Sequence, residues 1–291
     1  MASQIKILKT TEPVFSVPKI QEESWDNVSL SLWWLGQAGF CLKFKNYSVL
    51  IDPYLSDFLA QKYKGREFPH VRMMPPPVYP EQIRQLDFVF CTHGHSDHMD
   101  PGTLPVLSKN NPSCKFIVPK AEKTTAIERG VDENKIISVN AGESFKLNND
   151  IKLEIISSAH EDLKVNERGE HFYLGYIITF NALRIYHSGD CIPYPGLSDQ
   201  LKSFNIDMAL LPVNGRDNFR NEKGIPGNFT FEEATSLCAE CKIPNLIVHH
   251  FGMFSFNSVD VSILENKRKC IKYGHLNVII PDQNFRYKIV K

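Results

Sequence analysis

Short apolar runs separated by turn residues fill the first part of the chain. Three such runs, rich in aromatic, aliphatic and β-branched side chains, lie at 28–34, 40–44 and 48–52. The stretches between them, 36–39 and 45–47, carry glycine or asparagine residues, which favour turns. The pattern predicts a β-meander, whereas the polar stretch at 1–27 predicts an irregular N-terminal extension.

Strand and helix patterns alternate along the rest of the chain. Strand-like runs lie at 87–91, 115–118, 135–139, 144–147, 151–157, 172–179, 183–186, 208–213, 246–249 and 276–280. Helical runs lie at 82–86, 102–108, 120–129, 229–240 and 261–271. Strands in two blocks, each followed by helices, predict an α/β protein with two sheets packed face to face and helices outside. No repeat or linker divides the sequence, so we expect one domain over 1–291.

A long segment between residues 53 and 80 interrupts this pattern. It contains three consecutive prolines at 75–77, and proline neither continues a helix nor donates a ladder hydrogen bond. A connection of this length inside a compact domain is typical of a lid or a binding loop. A surface excursion without a function is the alternative.

The composition narrows the class of protein. The 291 residues include 33 basic and 33 acidic side chains, and this balance argues against a nucleic-acid-binding surface. No apolar run approaches the roughly 20 residues that a membrane span needs. Seven cysteines form no compact disulfide framework, and the first residues show no secretory signal. These features predict reduced thiols and a cytoplasmic protein.

The clearest chemical signal is a cluster of metal-type ligands directly after the predicted strand at 87–91. His93, His95, Asp97 and His98 lie within six positions of one another. Zinc and similar divalent cations bind well to imidazole nitrogens and carboxylate oxygens. Residues two apart in an extended turn project together, so His93 and His95 can share one ion. Asp97 and His98 can then serve a second ion.

Three further candidate ligands, His160, Asp190 and His250, each come shortly after a predicted strand. Polar side chains at strand ends can meet at one edge of a sheet sandwich. We therefore expect these three residues to complete a metal site together with the histidine cluster.

This ordered ligand set resembles that of the metallo-β-lactamase-fold hydrolases. The order His-x-His-x-Asp-His, then a histidine, an aspartate and a histidine, is the pattern of that family. Further segments, at 33–40, 51–53, 186–190 and 207–212, are similar to motifs of its ascorbate-6-phosphate lactonase-like branch. The resemblance runs from about residue 30 to the C-terminus. It implies a four-layer αββα sandwich with the metals in a cleft at one edge of the sheets.

The resemblance also implies a role for each ligand. His93, His95 and His160 would hold one ion, Asp97, His98 and His250 a second, and Asp190 would bridge the two. Because the branch varies at the middle histidine, a mononuclear site without His160 stays an alternative. His249 is the alternative ligand to its neighbour His250. We expect one or two divalent ions, zinc or manganese, and iron also suits these ligands.

The implied chemistry is hydrolysis by a metal-activated hydroxide. A divalent ion can lower the pKa of a bound water from about 15.7 to about 7, which provides an attacking base at neutral pH. Asp97 and Asp190 are the implied catalytic residues, and Asp97 would also orient the nucleophile. Asp52 resembles the family's acidic residue that braces the histidine loop, with a simple turn former as the alternative. His187 and His249 are expected behind the ligands.

Substrate contacts are expected from Asn214, Arg216 and Asn228, which follow a predicted strand or precede a helix. Arg216 can pair with a phosphate or carboxylate in a fork, which favours an anionic substrate. A solvated loop is the alternative. Cys238 and Cys241 have the spacing of a metal or redox pair, but they lie in a predicted helix without a second pair, so we interpret them as structural.

The sequence therefore predicts a metal-dependent hydrolase that opens a lactone, or cleaves an ester or amide, in a small anionic molecule. Three alternatives stay open: a phosphodiesterase acting on nucleic-acid or lipid phosphodiesters, a non-catalytic metal-binding sensor or scaffold, and an iron oxidoreductase. The neutral charge weighs against nucleic acid, and the complete ligand set weighs against lost catalysis. We expect no nucleic-acid partner and no membrane span, and association into homo-oligomers as in relatives.

Overall fold

The computed structural model describes residues 5–12 and 29–291. In these residues two β-sheets pack face to face. The first sheet has the order β1-β15-β2-β3-β4-β5-β6-β7. Its strands are β1 (Lys6–Thr11), β2 (Ser29–Gly36), β3 (Gly39–Phe44), β4 (Tyr47–Ile51), β5 (Phe88–Phe90), β6 (Lys115–Pro119), β7 (Ile136–Val139) and β15 (Phe285–Val290).

The second sheet has the order β14-β13-β12-β11-β10-β9-β8. Its strands are β8 (Ser144–Lys146), β9 (Ile151–Ser157), β10 (Leu174–Phe180), β11 (Leu183–His187), β12 (Met208–Pro212), β13 (Asn245–His249) and β14 (Asn277–Ile279). In each sheet an antiparallel part adjoins a parallel part, since β4 to β7 run parallel and β11 to β14 run parallel.

The α-helices of the described ranges lie between these strands. They are α1 (Phe58–Lys62), α2 (Leu104–Asn110), α3 (Lys123–Glu128), α4 (Leu197–Lys202), α5 (Asn218–Glu222), α6 (Phe231–Glu240) and α7 (Val261–Lys269). Within the described part of the chain, no helix is both long and apolar enough to cross a membrane.

Two apolar layers hold the elements together. Phe40, Phe90, Tyr176 and Leu210 belong to one buried cluster that begins between the sheets and continues across the second sheet to α4 and α6. A second cluster packs the other face of the first sheet against α2 and α3. Burial of apolar surface is the main stabilising term of such cores, at about 25 cal/mol per Å². The order helix, sheet, sheet, helix confirms the predicted αββα architecture.

The parallel strands decide where the chemistry lies. Adjacent parallel strands end at the same edge of a sheet, so the loops that follow β4, β5, β11 and β13 gather there. These loops carry Asp52, the histidine cluster, Asp190 and His250. The fold therefore brings together residues that are up to about 200 positions apart in the sequence.

Two predictions about secondary structure were wrong. The expected irregular extension at 1–27 contains a strand, β1, which pairs antiparallel with β15, itself absent from the predicted elements. The remaining extension, at 1–4 and 13–27, lies outside the described residues. The helix expected at 82–86 is a 3-10 turn, Pro80–Gln82, and the left-handed backbone of Gln85, with φ +59°, prevents a helix there.

The start of α6 shows how the sequence sets a helix boundary. Thr230 adopts an extended backbone, and its hydroxyl accepts a hydrogen bond from the Glu233 amide at 3.2 Å. The Glu233 carboxylate accepts in return from the Thr230 amide at 2.9 Å. This reciprocal capping box satisfies two amides that the helix itself leaves without partners.

Replacing the capping hydroxyl should destabilise the protein without changing its chemistry. We expect Thr230→Ala to lower the free energy of unfolding by about 1 kcal/mol, because the Glu233 amide loses its acceptor. Urea unfolding of the variant measures this change, and Thr230→Ser should restore most of it. Equal stability of Thr230→Ala and the unchanged protein would contradict a capping role.

Candidate metal centre

The loop after β5 presents the histidine cluster at the sheet edge. Thr92 and His93 are fully buried, and the amides of His98 and Met99 donate to the carbonyl of His95 at 3.1 and 2.8 Å. This tight turn directs the side chains of the cluster into one space. The loop after β11 approaches it closely, because Gly189 has a φ of +62° and a Cβ there would lie 2.7 Å from Thr92.

The predicted ligands converge into three overlapping groups. In each group the donor atoms all lie within 4.8 Å of one another. The groups are His93–His95–His160, His93–His98–Asp190 and Asp97–His98–His250. The structure thus brings together all seven residues for which the sequence predicts a ligand role. His250, and not its neighbour His249, contributes to these groups.

Asp190 lies between the two outer groups. Its Oδ1 is 3.3 Å from Nε2 of His98, and its Oδ2 is 3.1 Å from Nε2 of His250 and 3.6 Å from Nε2 of His160. One carboxylate therefore faces ligands of both groups, which is the geometry that a bridging ligand needs.

The donor atoms fit a divalent cation. Nε2 of His93, Nε2 of His98 and Oδ1 of Asp190 are buried and have no hydrogen-bond partner among the described residues. Buried polar atoms without partners are costly, so a group of them that face one another indicates a site for a cation. The set of imidazole nitrogens and carboxylate oxygens suits zinc, manganese or iron.

Asp52 braces this loop from behind. Its carboxylate accepts hydrogen bonds from the Thr92 amide at 2.8 Å and the Thr92 hydroxyl at 2.7 Å, and it lies 2.8 Å from Nδ1 of His98. With Nδ1 directed to the carboxylate, Nε2 of His98 faces Asp190 and the ligand groups. Such a partner fixes the tautomer and the ring orientation of a ligating histidine.

Burial keeps most of the imidazoles neutral. It lowers the pKa of His93 well below its usual range, and the nearby His98 and His95 add to this effect. Burial also lowers the pKa of His160 to about 4. A neutral imidazole offers a lone pair to a cation, so these residues are ready to bind at neutral pH.

The carboxylates of the centre stay ionised although they are buried. Burial alone would raise the pKa of Asp190, but the nearby His250 and His98 hold it well below its usual range. Burial also opposes protonation of His98, yet the charges of Asp190, Asp52 and Asp97 outweigh burial and raise its pKa. The centre therefore holds ionised carboxylates, as ligands of a cation must be.

The other predicted supporting residues lie in the core behind the ligands. Nε2 of His187 donates to the carbonyl of Ala38 at 2.9 Å, and its Nδ1 accepts from the Gly189 amide at 2.9 Å. His249 stacks on His187 with ring centroids 4.9 Å apart, and neither of its ring nitrogens has a partner in the described ranges. Both rings pack beneath the ligand loops.

A cleft of about 550 Å³ opens over the centre. Its floor includes the candidate ligands His95, Asp97, His160, Asp190 and His250. Aromatic side chains from the long segment and from the loop after β13 form one wall: Tyr63, Phe68, His70, Phe254 and Phe256. His70 connects the two loops, since its ring stacks on Tyr63 at 4.1 Å and meets Phe256 at 4.8 Å.

The rim of this cleft is basic, and the sequence had suggested no substrate contact for the cations that the long segment contributes to it. Lys62, Arg66, Arg129 and Lys223 line it, and Lys223 pairs with Glu67 at 2.8 Å across the opening. Lys62 and Arg66 are exposed and form no ion pair with a described residue. The position of these two residues inside the long segment, already predicted as a lid or binding loop, was the available signal.

The predicted substrate residues lie elsewhere. Arg216 forms a bidentate pair with Glu233, at 2.7 and 2.6 Å, and does not line the cleft. Asn214 and Asn228 are buried and bind each other at 3.1 Å. Asn214 also donates to Asn257, which does line the cleft. These three residues therefore support the cleft wall and the start of α6 in this structure.

Comparison with known proteins gives the family. Residues 47–251 match the Beta-lactamase superfamily domain. The chain belongs to the beta-lactamase superfamily. The matched range contains every candidate ligand of the centre, from the histidine cluster to His250. The resemblance inferred from the ligand order is confirmed at the level of the superfamily.

The relatives found by sequence carry the names of hydrolytic enzymes. A metal-dependent hydrolase of Saccharolobus solfataricus is 30% identical over 190 residues, which cover 64% of this chain and 72% of that protein. A probable L-ascorbate-6-phosphate lactonase of Escherichia coli is 24% identical over 292 residues, covering 88% and 80%. An N-acyl-phosphatidylethanolamine-hydrolyzing phospholipase D of Caenorhabditis elegans is 24% identical over 225 residues. The match spans 73% of this chain but only 61% of that phospholipase.

The fold agrees with these relationships. An isothiocyanate hydrolase from Delia radicum gut bacteria superposes with a TM-score of 0.70 at 17% identity, covering 88% of this chain and 98% of that one. The superfamily match and the sequence relatives that are metal-dependent hydrolases make the chain a metal-dependent hydrolase of the beta-lactamase superfamily.

Proposed function

We propose that this hydrolase opens a lactone, or cleaves an ester or amide bond, in a small anionic molecule bound over the metal centre. The observation that carries the proposal is the position of Asp190 between two groups of buried ligands at the floor of an open cleft. A bound divalent ion supplies Lewis-acid catalysis and acidifies a coordinated water. The ligand set favours zinc or manganese, as one or two ions, with His160 completing the first group.

Asp97 is the residue proposed to handle the proton of the attacking water. It lines the cleft, and its side chain is 15% exposed, so it touches both the ligands and the substrate space. Burial would raise its pKa, but the nearby His98 and further histidines outweigh this effect and lower it. An ionised carboxylate at this point can accept a hydrogen bond from water and orient its lone pair toward the scissile carbonyl.

The basic rim supports an anionic substrate. Lys62 and Arg66 lie over the ring of Tyr63, at 5.4 and 5.3 Å, on the wall of the cleft. Two exposed cations without an ion-pair partner among the described residues can attract a carboxylate or phosphate at the mouth. The aromatic wall below them can pack against the uncharged part of the molecule.

Removing the two rim cations should weaken binding of anionic substrates selectively. We expect the double variant Lys62→Ala/Arg66→Ala to raise KM for an anionic lactone or ester roughly tenfold, because each exposed charge contributes up to about 1 kcal/mol. The value of kcat should change little. Steady-state kinetics at low and high salt measure the effect, which should shrink at high salt.

Lys64→Ala is the matched control, because Lys64 belongs to the same segment and does not line the cleft. A neutral substrate of the same shape provides the second control, and its KM should not change in the double variant. An equal rise of KM for neutral and anionic substrates would contradict an electrostatic role.

Hydrolysis of phosphodiesters is the second candidate function. The phospholipase among the relatives favours it, since the same type of centre can attack phosphorus. Assays on bis-(p-nitrophenyl) phosphate beside a panel of lactones, esters and amides separate the two functions. Turnover of the phosphodiester alone would replace the proposal above, whereas turnover of an anionic lactone or ester supports it.

The cellular setting is also a proposal. All seven cysteines are free thiols, which supports the cytoplasmic location predicted from the sequence. A small-molecule substrate, rather than nucleic acid, fits the size of the cleft. Size-exclusion chromatography with light scattering tests the expected homo-oligomer.

A further inference from the structure

A glutamine in a tight turn contacts two members of one ligand group. Gln37 lies between β2 and β3, is fully buried, and does not line the cleft. Its Nε2 is 2.9 Å from Oδ2 of Asp97 and 3.0 Å from Nε2 of His250. These two atoms belong to the group Asp97–His98–His250. No other role of this side chain is visible, because its Oε1 has no partner among the described residues.

The backbone of the same residue holds the loop of His250. The carbonyl of Gln37 accepts hydrogen bonds from the His250 amide at 2.9 Å and from the indole of Trp34 at 3.0 Å. Trp34 in turn stacks on Phe251, the residue after His250, with ring centroids 4.7 Å apart. The turn is thus tied to the loop after β13 by one backbone hydrogen bond and one aromatic contact.

The backbones of Gln37 and His250 both adopt a conformation that such residues rarely have. Its φ is +51°, in the left-handed region that residues other than glycine, asparagine and aspartate rarely adopt. Such a conformation costs of order 1 kcal/mol or more and persists only where the surroundings enforce it. His250 is itself left-handed, with a φ of +62°. The left-handed backbones of Gln37 and His250 are joined by the hydrogen bond from the His250 amide to the Gln37 carbonyl, and this bond holds His250 in place.

Asp97 and His250 come from different sheets, and Gln37 connects them. Asp97 follows β5 of the first sheet, and His250 follows β13 of the second. Their ligand atoms, Oδ2 and Nε2, are 3.9 Å apart, too far for a direct hydrogen bond. The amide of Gln37 donates to Oδ2 of Asp97, a carboxylate oxygen that keeps a further lone pair for an ion, and the carbonyl of Gln37 holds the loop of His250. Gln37 thus joins the two ligands without occupying both of their donor atoms.

We propose that Gln37 is a positioning residue for the ion held by Asp97, His98 and His250, acting through its amide donor to Asp97 and its carbonyl contact with the His250 loop. This inference rests on the proposed function only in requiring that the centre binds metal. It predicts that substitution of Gln37 lowers the affinity for this ion only. The group His93–His95–His160 does not contact Gln37 and should keep its affinity.

Two substitutions of similar size show whether the Gln37 amide donates to Asp97 or binds the ion through its oxygen. Gln37→Met keeps the volume and removes both donors and acceptor. Gln37→Glu keeps the shape but presents only acceptor oxygens next to Asp97, so it repels that carboxylate. If the amide donates to Asp97, both variants lose affinity. If the amide instead turned its oxygen to the ion as a ligand, the glutamate variant would bind at least as tightly as the unchanged protein.

The experiment is titration of the metal-free protein with Zn²⁺ and with Co²⁺. Calorimetry against a competing chelator gives the affinity of each ion, and the visible spectrum of Co²⁺ reports the geometry of each site. We expect both variants to bind one ion normally and the other 10- to 100-fold more weakly, as is usual when a partner of a metal ligand is removed. The Co²⁺ bands of the weakened site should change, which a purely structural role of the side chain would not cause.

Gln283→Met is the matched control. The amide of Gln283 supports the same turn by donating to the carbonyl of Leu35 at 2.9 Å, but it contacts no ligand. This variant should bind both ions with unchanged affinity. Circular dichroism and thermal unfolding show whether each variant folds. If Gln37→Met does not fold, the nearly isosteric Gln37→Glu variant tests the inference alone.

The possible outcomes separate this inference from the proposed function. Two ions of unchanged affinity in both Gln37 variants would overturn the role of Gln37 and leave the hydrolase intact. Equal or tighter binding by Gln37→Glu would also overturn it, in favour of an oxygen ligand. A single ion in the unchanged protein, retained in both variants, would overturn it as well. An unchanged protein that binds no ion would instead contradict the metal centre itself.

Discussion

Asp190→Ala should abolish metal-dependent hydrolysis. Asp190 is the only carboxylate whose oxygens approach ligands of both outer groups, among the residues that the structure describes. Its removal takes away the anion that balances the charge of the cations and leaves the surrounding imidazoles to repel them. Metal ions contribute several kcal/mol to the stabilisation of a hydrolytic transition state, so we expect kcat/KM to fall by at least about 1,000-fold.

His95→Ala should produce a loss of the same order by a different route. His95 lines the cleft and belongs only to the group with His93 and His160. This variant should lose the ion of that group first and keep residual metal at the other. Measuring the metal content by mass spectrometry together with kcat/KM distinguishes the two variants.

An exposed histidine and an exposed aspartate outside the centre provide the controls. His275 lies before β14 and Asp199 lies in α4, and neither contacts a ligand. His275→Ala and Asp199→Ala should retain metal and activity. Full activity in both Asp190→Ala and His95→Ala would show that the reaction does not depend on this centre.

Asp52→Asn should cause the second large effect although Asp52 binds no ion. The substitution keeps the shape of the side chain, and asparagine tolerates the left-handed backbone of this position, where φ is +44°. Asparagine cannot accept from Thr92 and from Nδ1 of His98 with both of its polar atoms. A buried donor is then left without a partner, at a cost of about 1–3 kcal/mol in stability.

The metal affinity of Asp52→Asn should fall by about 10- to 100-fold, because His98 loses the partner that fixes its tautomer. Asp87→Asn is the matched control. Asp87 joins β4 and β5 at their N-terminal ends, away from the metal centre, since its carboxylate accepts a hydrogen bond from the Ser48 amide at 2.8 Å. That variant should lose stability and keep its metal. Equal loss of metal in both variants would mean that affinity simply follows stability.

The fold was predictable where the sequence alternates strongly between apolar and polar runs. The buried strands β2, β3 and β4 contain almost only apolar residues and appear within two residues of their predicted bounds. Strand β1 was missed because it is mostly exposed and therefore carries no apolar pattern. It forms by pairing with β15, about 280 residues away, and such pairing leaves no local signal.

The ligands of the metal centre were easier to predict from the sequence than the residues around them. Ligands must be histidine or acidic residues, so the spacing at residues 93–98 is informative without a structure. Gln37 escaped notice because a glutamine in a turn is ordinary, and its two partners lie 60 and 213 positions away. Arg216 was a candidate substrate residue by its position in the sequence, and the structure shows it paired with the capping glutamate Glu233.

The central claim is that residues from both sheets hold divalent cations at one edge of this fold. An anomalous difference map, recorded at the absorption edge of the metal from crystals grown with Zn²⁺ or Mn²⁺, tests it most directly. We predict strong density enclosed by the seven ligands, with Asp190 in contact with each ion present. A map without density among these side chains, at saturating metal, would contradict the account.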